Sequence, residues 1–193
     1  MNTEKSCDWC KGDILYQQYH DTEWGVPLFD EQRLFEFLIL ETFQAGLSWI
    51  TILRKRENFR RAFDQFDYHK IARYDDLKIA DLLSDASIVR NRLKVHAAVE
   101  NAQAYLEIQN KFGSFSEYYW GFTEGKPIQN TFKTLDEIPA TTPLAEKISK
   151  DLKKNGFRFV GPTVMYAHMQ ATGMVNDHVV DCFRYHQVMR RSC

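Results

Sequence analysis

The sequence lacks any long apolar run. Its longest uninterrupted apolar stretches cover about four residues, such as Phe37 to Leu40, whereas a helix that spans a bilayer needs roughly 20. The opening segment, Met1 to Ser6, contains no apolar core of the kind that a secretory signal requires. These absences exclude a membrane protein and lead us to expect a cytoplasmic chain.

An excess of charge of one sign is also missing. The 25 Lys and Arg residues nearly balance the 26 Asp and Glu residues, so the chain has no global positive field that would attract nucleic acid. Any nucleic-acid-binding surface must be local. The basic stretch from Arg54 to Arg61 is a candidate for phosphate contacts, and an ordinary solvated helix face is the alternative for its side chains.

Internal repeats, low-complexity tracts and strand-like alternation are absent as well, which excludes solenoids and predicts an all-α fold. The 193 residues are 44% hydrophobic, a length and composition that suit one globular domain over residues 1–193.

Capping and turn residues divide the chain into helices. Asp30 is the predicted N-cap of a helix that runs through Phe43 and ends at Gly46, and Ser48 caps a second helix from Trp49 toward Phe63. Further helices are predicted at Ile71–Leu83, at Val95–Ile108, at Ile148–Lys154 and after Gly161-Pro162. Residues 121–143, with several glycines and prolines, are predicted to form an irregular surface connection.

Cysteines are few. Four cysteines in a reducing compartment are more often metal ligands, catalytic thiols or buried fillers than disulfide partners. His178 and Cys182 are four residues apart, a spacing that predicts two side chains on one face of a helix. Cys7 and His20 would complete the two-Cys, two-His set of a structural zinc site. Spacing alone leaves open that these residues are unrelated, and Cys10 competes as a ligand.

A carboxylate falls on the apolar face of the first long helix. At about 100° per residue, Glu41 lies between Leu34 and Phe37, whereas Glu36 lies on the polar side. We therefore expect Glu41 to point inward, where loss of solvation would raise its pKa. An ion pair with a nearby arginine and a functional role are both open explanations.

Large rings with polar edges are dense in the sequence around this carboxylate: Tyr16, Tyr19, Trp24 and Trp49. Such rings usually fill cores. The functional alternative is a pocket in which a flat ligand stacks on an aromatic face while the carboxylate contacts its polar edge, as enzymes do with a flipped base. A positive charge on the ligand would add cation–π attraction.

Several sequence blocks, from about Cys7 to Cys182, closely resemble the 3-methyladenine DNA glycosylase I family. They are Tyr19-His20-Asp21-Thr22-Glu23-Trp24-Gly25-Val26-Pro27, Gln44-Ala45-Gly46-Leu47-Ser48-Trp49, Lys55-Arg56-Glu57-Asn58-Phe59 and Val175-Asn176-Asp177-His178-Val179-Val180. Through its superfamily, the resemblance implies an all-helical, two-lobed helix-hairpin-helix fold, with the base pocket between the lobes. The hairpin would be residues 155–161, and backbone N–H groups after Gly161 would hold a DNA phosphate.

The resemblance also assigns roles to residues. It implies that Glu41 hydrogen-bonds the excised base, that Tyr16 and Tyr19 line the pocket and that Trp49 stacks on the base. The loop with Gln44, Gly46 and Leu47 would enter the duplex, with Leu47 as the wedge. One zinc ion would join the N- and C-terminal segments through Cys7, His20, His178 and Cys182. Because four protein ligands leave no position for water, this zinc would be structural.

The implied activity is hydrolytic removal of 3-methyladenine from double-stranded DNA by a monomeric enzyme. No lysine stands at a matching motif position to form a Schiff base, so strand cleavage is not expected. Asp177 is a reserve candidate for assisting water, and its alternative role is that of a cap or a partner beside His178. A zinc-containing protein that binds damaged DNA without cutting it is the competing function.

Overall fold

The computed structural model describes residues 5–190 and is mainly helical. Residues 1–4 of the opening segment and Cys193, the fourth cysteine, lie outside the described residues. The α-helices within them are α1 (Ile14–Thr22), α2 (Glu31–Gln44), α3 (Trp49–Ala62), α4 (Tyr68–Ile71), α5 (Asp76–Ser84), α6 (Arg92–Phe112), α7 (Phe115–Trp120), α8 (Pro143–Lys154), α9 (Pro162–Ala171) and α10 (Phe183–Arg190).

The predicted starts of α2 and α3 are both present. The Asp30 carboxylate caps α2 by accepting a hydrogen bond of 2.9 Å from the backbone N–H of Arg33, and the chain leaves the helix just before Gly46, whose φ is 84°. Ser48 does precede α3, but its hydroxyl bonds the Thr51 hydroxyl at 2.7 Å instead of a backbone N–H. Ser48 is therefore the N-cap residue of α3, as predicted, but its side chain makes no capping hydrogen bond to the backbone.

Three other helix boundaries differ from the prediction because capping side chains override the apolar pattern. Asp67 and Asp75 each cap a helix, so the predicted stretch Ile71–Leu83 is divided between α4 and α5. Thr142 caps α8, which begins at Pro143 instead of Ile148. Helix α6, the longest of the described helices, extends the predicted stretch Val95–Ile108 at both ends.

A pair of very short strands was not predicted. Strand β1 (Ile128–Gln129) pairs in parallel with β2 (Val175–Asn176). Two residues per strand are too few for an alternating pattern to show in a sequence. The pair fastens the 121–143 connection, which also contains short 3-10 helices at Gly121–Thr123 and Leu135–Glu137. The backbone N–H of Val180 adds a bond of 2.9 Å to the carbonyl of Phe132.

Helix α2 lies at the centre of the core, against α3, α6, α7 and α9. All its residues from Leu34 to Phe43 are buried, so the helix has no polar side over these three turns. The expectation that Glu36 faces outward is therefore wrong: it is 5% exposed. Across residues 5–190, no helix has the length and apolar character that crossing a membrane requires.

Candidate active site and metal centre

A cavity of about 360 Å³ opens beside the C-terminal half of α2. Its wall is mostly apolar and aromatic, and α1, α2, α3, α9 and the 121–143 connection all contribute to it. The lining residues are Trp9, Tyr16, Tyr19, Trp24, Glu41, Gln44, Trp49, Leu135, Ile138, Ala167 and Gln170. The structure thus brings together the four residues expected to bind a base, and Gln44 lies at the same cavity.

Glu41 is the buried acid of this cavity. Its side chain is 3% exposed, and among the described residues it has neither a hydrogen-bond donor nor a cationic partner. Burial raises the pKa of Glu41 to about 8, because loss of solvation disfavours the carboxylate. The inward orientation expected from the helical wheel is confirmed. A positive ligand in the cavity would be the partner that the protein itself does not supply.

The arginine ion pair that could have explained Glu41 belongs to Glu36 instead. Arg56 Nε donates to a Glu36 oxygen at 2.6 Å, and Arg60 Nε donates to the same oxygen at 2.9 Å. Arg56 also bonds Glu23 at 2.8 Å. Arg56 was expected on the outward face of α3 but is only 7% exposed, because it neutralises this buried carboxylate.

The aromatic wall is held by helix α1 and the turn before it. Asp13 caps α1 by accepting from the backbone N–H of Tyr16 at 3.1 Å. The rings of Tyr19 and Trp49 lie 5.6 Å apart between centroids, and those of Trp9 and Tyr16 lie 4.9 Å apart. Burial, with the nearby Glu41 carboxylate second, raises the pKa of both tyrosines. Both phenols therefore remain neutral and able to donate hydrogen bonds.

Two polar or aromatic lining residues, Trp9 and Gln170, were missed by the sequence analysis. The ring of Trp9 packs edge-on against His20 at 5.3 Å. In the sequence, its position between Cys7 and Cys10, two candidate metal ligands, was the available signal. Gln170 donates through Nε2 to Asp177 at 2.8 Å, a contact between the end of α9 and the segment after β2 that helical periodicity does not reveal.

The four candidate metal ligands come together although they stand at opposite ends of the sequence. One donor atom from each of Cys7, His20, His178 and Cys182 lies within 4.8 Å of all the others, and all four residues are buried. Cys182 Sγ lies 3.5 Å from His20 Nε2 and 3.6 Å from His178 Nδ1. Tetrahedral zinc, with Zn–S near 2.3 Å and Zn–N near 2.0 Å, separates sulfur from nitrogen by about 3.5 Å.

The surroundings of the two imidazoles suit metal ligation. His178 Nε2 lies 3.1 Å from the carbonyl oxygen of Trp24 and His20 Nδ1 lies 2.6 Å from Asp21, so in each ring the other nitrogen is free to face the cluster. Burial lowers the pKa of His178 and keeps it neutral. Gly25, at φ 76°, permits this close approach, because a Cβ there would lie 3.1 Å from His178 Nε2.

The two thiols differ in how readily they take the form that binds metal. The hydrogen bond to Cys182, with burial second, raises the pKa of Cys7, so ligation by Cys7 requires that metal binding release its proton. A hydrogen bond from Cys7 is the largest cause that lowers the pKa of the Cys182 thiol, and bonds from the two imidazoles follow. Cys182 is therefore a thiolate, the form that binds metal. Cys10, the competing ligand, points its sulfur at the carbonyl of Cys7 at 3.0 Å and is outside the cluster.

The expectation that His178 and Cys182 share a helix face is wrong. Residues 177–182 form an irregular turn between β2 and α10, and Cys182 is the last residue before that helix. The turn bends so that both donor atoms reach one point, which a four-residue spacing permits without a helix.

The residues expected at the DNA occupy two exposed turns. In the 44–47 loop (Gln44–Leu47), the backbone N–H of Leu47 bonds the Gln44 carbonyl at 2.7 Å, and Gln44 Nε2 bonds the Leu47 carbonyl at 2.8 Å. The Leu47 side chain is 39% exposed. In the 155–161 turn, Gly161 is the N-cap residue of α9 and has open space around its Cα. The first turn is thus exposed from Ala45 to Leu47, and the second is exposed at Gly156, Arg158 and Phe159.

The basic side chains of α3 have partners within the protein. Arg54 pairs with Asp13 at 2.6 Å, and Lys55 donates to the carbonyl of Ser87 at 2.9 Å. Arg60 joins the Glu36 cluster described above. Their contact with phosphate stays a prediction.

Asp177 is a fully buried acceptor that does not line the cavity. It accepts hydrogen bonds of 2.6 Å from Asn130, 2.6 Å from Tyr166 and 2.8 Å from Gln170. It caps no described helix, and the carbonyl of Trp24 occupies the position beside the His178 ring. Asp177 instead orients Gln170 toward the cavity.

Comparisons with known proteins extend over nearly the whole chain. The family model of methyladenine glycosylase matches residues 9–185. DNA-3-methyladenine glycosylase 1 of Escherichia coli (strain K12) is 48% identical over 179 residues, which are 93% of this chain and 96% of the relative.

Solved structures agree in fold. A crystal structure of 3-methyladenine DNA glycosylase I superimposes with a TM-score of 0.90 at 47% identity and covers 93% of this chain and 98% of that one. A Staphylococcus aureus 3-methyladenine DNA glycosylase I, solved for the structural basis of 3-methyladenine recognition, gives a TM-score of 0.90 at 38% identity over 93% and 96% of the two chains. The chain therefore belongs to the methyladenine glycosylase family and is an enzyme that hydrolyses N-glycosyl bonds.

Proposed function

We propose that this enzyme flips a 3-methyladenine nucleotide out of double-stranded DNA and hydrolyses its N-glycosyl bond, which leaves an abasic site. The observation that carries the proposal is Glu41, a buried carboxylate without a protein partner in an aromatic cavity. The names of the relatives agree with this substrate.

Selection of the base follows from charge. Alkylation at N3 makes the adenine cationic, so the base leaves without being protonated and the enzyme needs no strong acid. A cationic ring on Trp49 gains cation–π attraction, and its charge favours the ionised form of Glu41. Neutral adenine offers neither gain. The same carboxylate stabilises positive charge that develops on the sugar as the bond breaks.

We propose that Cys7, His20, His178 and Cys182 hold one structural zinc ion. With four protein ligands, the ion supplies a cross-link and leaves no coordination position for water. The cross-link ties the segment that carries Trp9 to the turn before α10. The zinc therefore orders one wall of the cavity and takes no part in bond cleavage.

Contact with DNA is assigned to the two exposed turns. Leu47 enters the duplex where the nucleotide has left, supported by Gln44 and Gly46, and offsets part of the unstacking cost of a few kcal/mol. The backbone N–H groups that follow Gly161 bind a phosphate at the start of α9. The 155–161 turn then serves as the hairpin of a two-lobed helix-hairpin-helix enzyme.

The reaction stops at the abasic site. No lysine is among the described residues that line the cavity, and a Schiff base with the sugar would require one. One chain, acting as a monomeric single domain, contains every group that the proposal uses. Its thiol ligands suit a reducing cytoplasm.

Release of free 3-methyladenine from methylated duplex DNA tests the function. Wild-type protein should release the base and leave alkali-sensitive sites without cutting the strand itself. The variant Glu107→Gln, at an exposed position of α6, is the control and should match the wild type. Tight binding of damaged DNA without release would instead establish the competing function, a protein that binds damage without cutting.

A further inference from the structure

A lysine on helix α6 contacts the 44–47 loop from inside the protein. Lys94 Nζ donates hydrogen bonds of 2.9 Å to the carbonyl of Phe43 and 2.6 Å to the carbonyl of Ala45. The residue is 6% exposed. Lys94 stands in the first turn of α6, and its own backbone N–H bonds the Asn91 side chain at 3.2 Å. Lys94 is therefore fixed both at its backbone and at the ammonium group of its side chain.

The two carbonyls need this donor. They lie at the C-terminus of α2, where the last carbonyls of a helix have no partner within the helix. Ala45 follows α2 in an extended conformation, with φ −49° and ψ 116°, and supplies no backbone cap. A cation also suits the negative end of the helix dipole. Gly46 follows Ala45 with φ 84°, but its backbone N–H does not bond either carbonyl, so Lys94 supplies the donor that a glycine cap would provide at many helix ends.

The remainder of the loop has little other support. Its two internal hydrogen bonds join Gln44 to Leu47 and do not fasten the loop to the core. A Cβ on Gly46 would meet no atom within 4 Å. Lys94 is therefore the described side chain that ties the 44–47 loop to the remainder of the fold.

The same helix also holds the other turn. Asn101 Oδ1 accepts from the backbone N–H of Arg158 at 2.7 Å, and Asn101 Nδ2 donates to the Arg158 carbonyl at 3.1 Å. Asn101 is fully buried. It lies seven residues after Lys94, which is two helical turns, or about 10 Å, along one face. One rigid element thereby sets the spacing between the 44–47 loop and the 155–161 turn.

We propose that Lys94 is a positioning residue for DNA engagement: it holds the 44–47 loop at a fixed distance from the 155–161 turn, with α6 as the spacer. The inference rests on the proposed function, which supplies the duplex that both turns would contact. Lys94 does not line the cavity, so we expect its main effect on binding and opening of the duplex.

The test compares Lys94→Met, which removes the charge and both hydrogen bonds, with Lys94→Arg, which retains a charged donor. A third variant, Lys111→Met, changes an exposed lysine on the same helix. Three quantities are measured: affinity for a duplex with an abasic-site analogue, base release from methylated duplex, and binding of free 3-methyladenine by tryptophan fluorescence. Losing a charge-assisted bond should weaken duplex binding and slow release by about tenfold. Free-base binding should change much less than duplex binding, because Gln44 is the one residue of the 44–47 loop that lines the cavity. Lys94→Arg should recover most of the loss, and Lys111→Met should equal the wild type.

Equal duplex affinity for Lys94→Met and wild type would overturn the inference, as would a loss of free-base binding by the same factor. If Lys94→Met does not fold, Lys94→Gln, which removes the charge and keeps a neutral NH2 group, takes its place with the same criteria. Failure of the proposed function is distinguishable, since the wild type itself would then release no base.

Discussion

Replacing Glu41 by glutamine should stabilise the protein, and more strongly as the pH rises. Burial raises the pKa of Glu41 from 4.5 to about 8, whereas the unfolded chain has the ordinary value. Between these two values the folded state keeps a proton that the unfolded state has lost. Stability of the wild type therefore falls with increasing pH across this window, by about 1.4 kcal/mol per pH unit at most.

The rise in the pKa of Glu41 corresponds to a cost of at most about 5 kcal/mol in the free energy of unfolding. Water that enters the cavity reduces this cost, so we expect Glu41→Gln to be more stable than the wild type by about 2–5 kcal/mol at pH 9. Glutamine has no such ionisation. The free energy of unfolding, from urea titrations of both proteins at pH 5 to 9, should show a difference that is small at pH 5 and grows toward pH 8.

Glu36→Gln is the matched control on the same helix. It leaves Arg56 and Arg60 without the buried carboxylate that they share, so it should destabilise the protein. A Glu41→Gln difference that is constant from pH 5 to 9, or a destabilisation at pH 9, would refute the claim that Glu41 is held buried without a partner.

Three further changes test other parts of the site. Cys182→Ser should abolish stoichiometric zinc by metal analysis and lower the melting temperature, whereas Cys10→Ser should keep the metal; retained zinc in Cys182→Ser would contradict the assigned ligand set. Trp49→Leu should weaken binding of free 3-methyladenine by about 1–2 kcal/mol through loss of the cation–π contact, measured by calorimetry, and an unaltered affinity would remove Trp49 from the base site. Replacing Arg54 and Lys55 together by alanine should lower the slope of log affinity against log salt by about 1–2 if both contact phosphates, and an unchanged slope would restrict these residues to their ion pair with Asp13 and hydrogen bond to Ser87.

Features set by neighbours in the sequence could be predicted. The Asp30 cap fixes the start of α2, and the helical period correctly turns Glu41 inward. The same period fails for Glu36, because the wheel assumes one solvent-facing side and α2 is enclosed by four other helices. A buried carboxylate on an expected outer face becomes tolerable through Arg56 and Arg60, which both donate to it, and the burial of Arg56 follows from the same contact.

Features set by distant contacts could not be predicted from local patterns. The cluster of Cys7 with His178 brings together residues 171 positions apart, and the family resemblance indicated it where spacing could not. The β1–β2 pair is too short to leave a periodic signal. Lys94 bonds backbone carbonyls 51 and 49 residues away. Every residue has a backbone carbonyl, so residue types do not indicate which carbonyls a lysine will bond.

The central claim is that Glu41 selects and stabilises a cationic base. The most direct test is the single-turnover rate of 3-methyladenine release by wild type and Glu41→Gln, measured beside the affinity of each for a duplex with an abasic-site analogue. Glu41→Gln should slow release by at least about tenfold while duplex affinity stays the same. Equal release rates for the two proteins would contradict the claim.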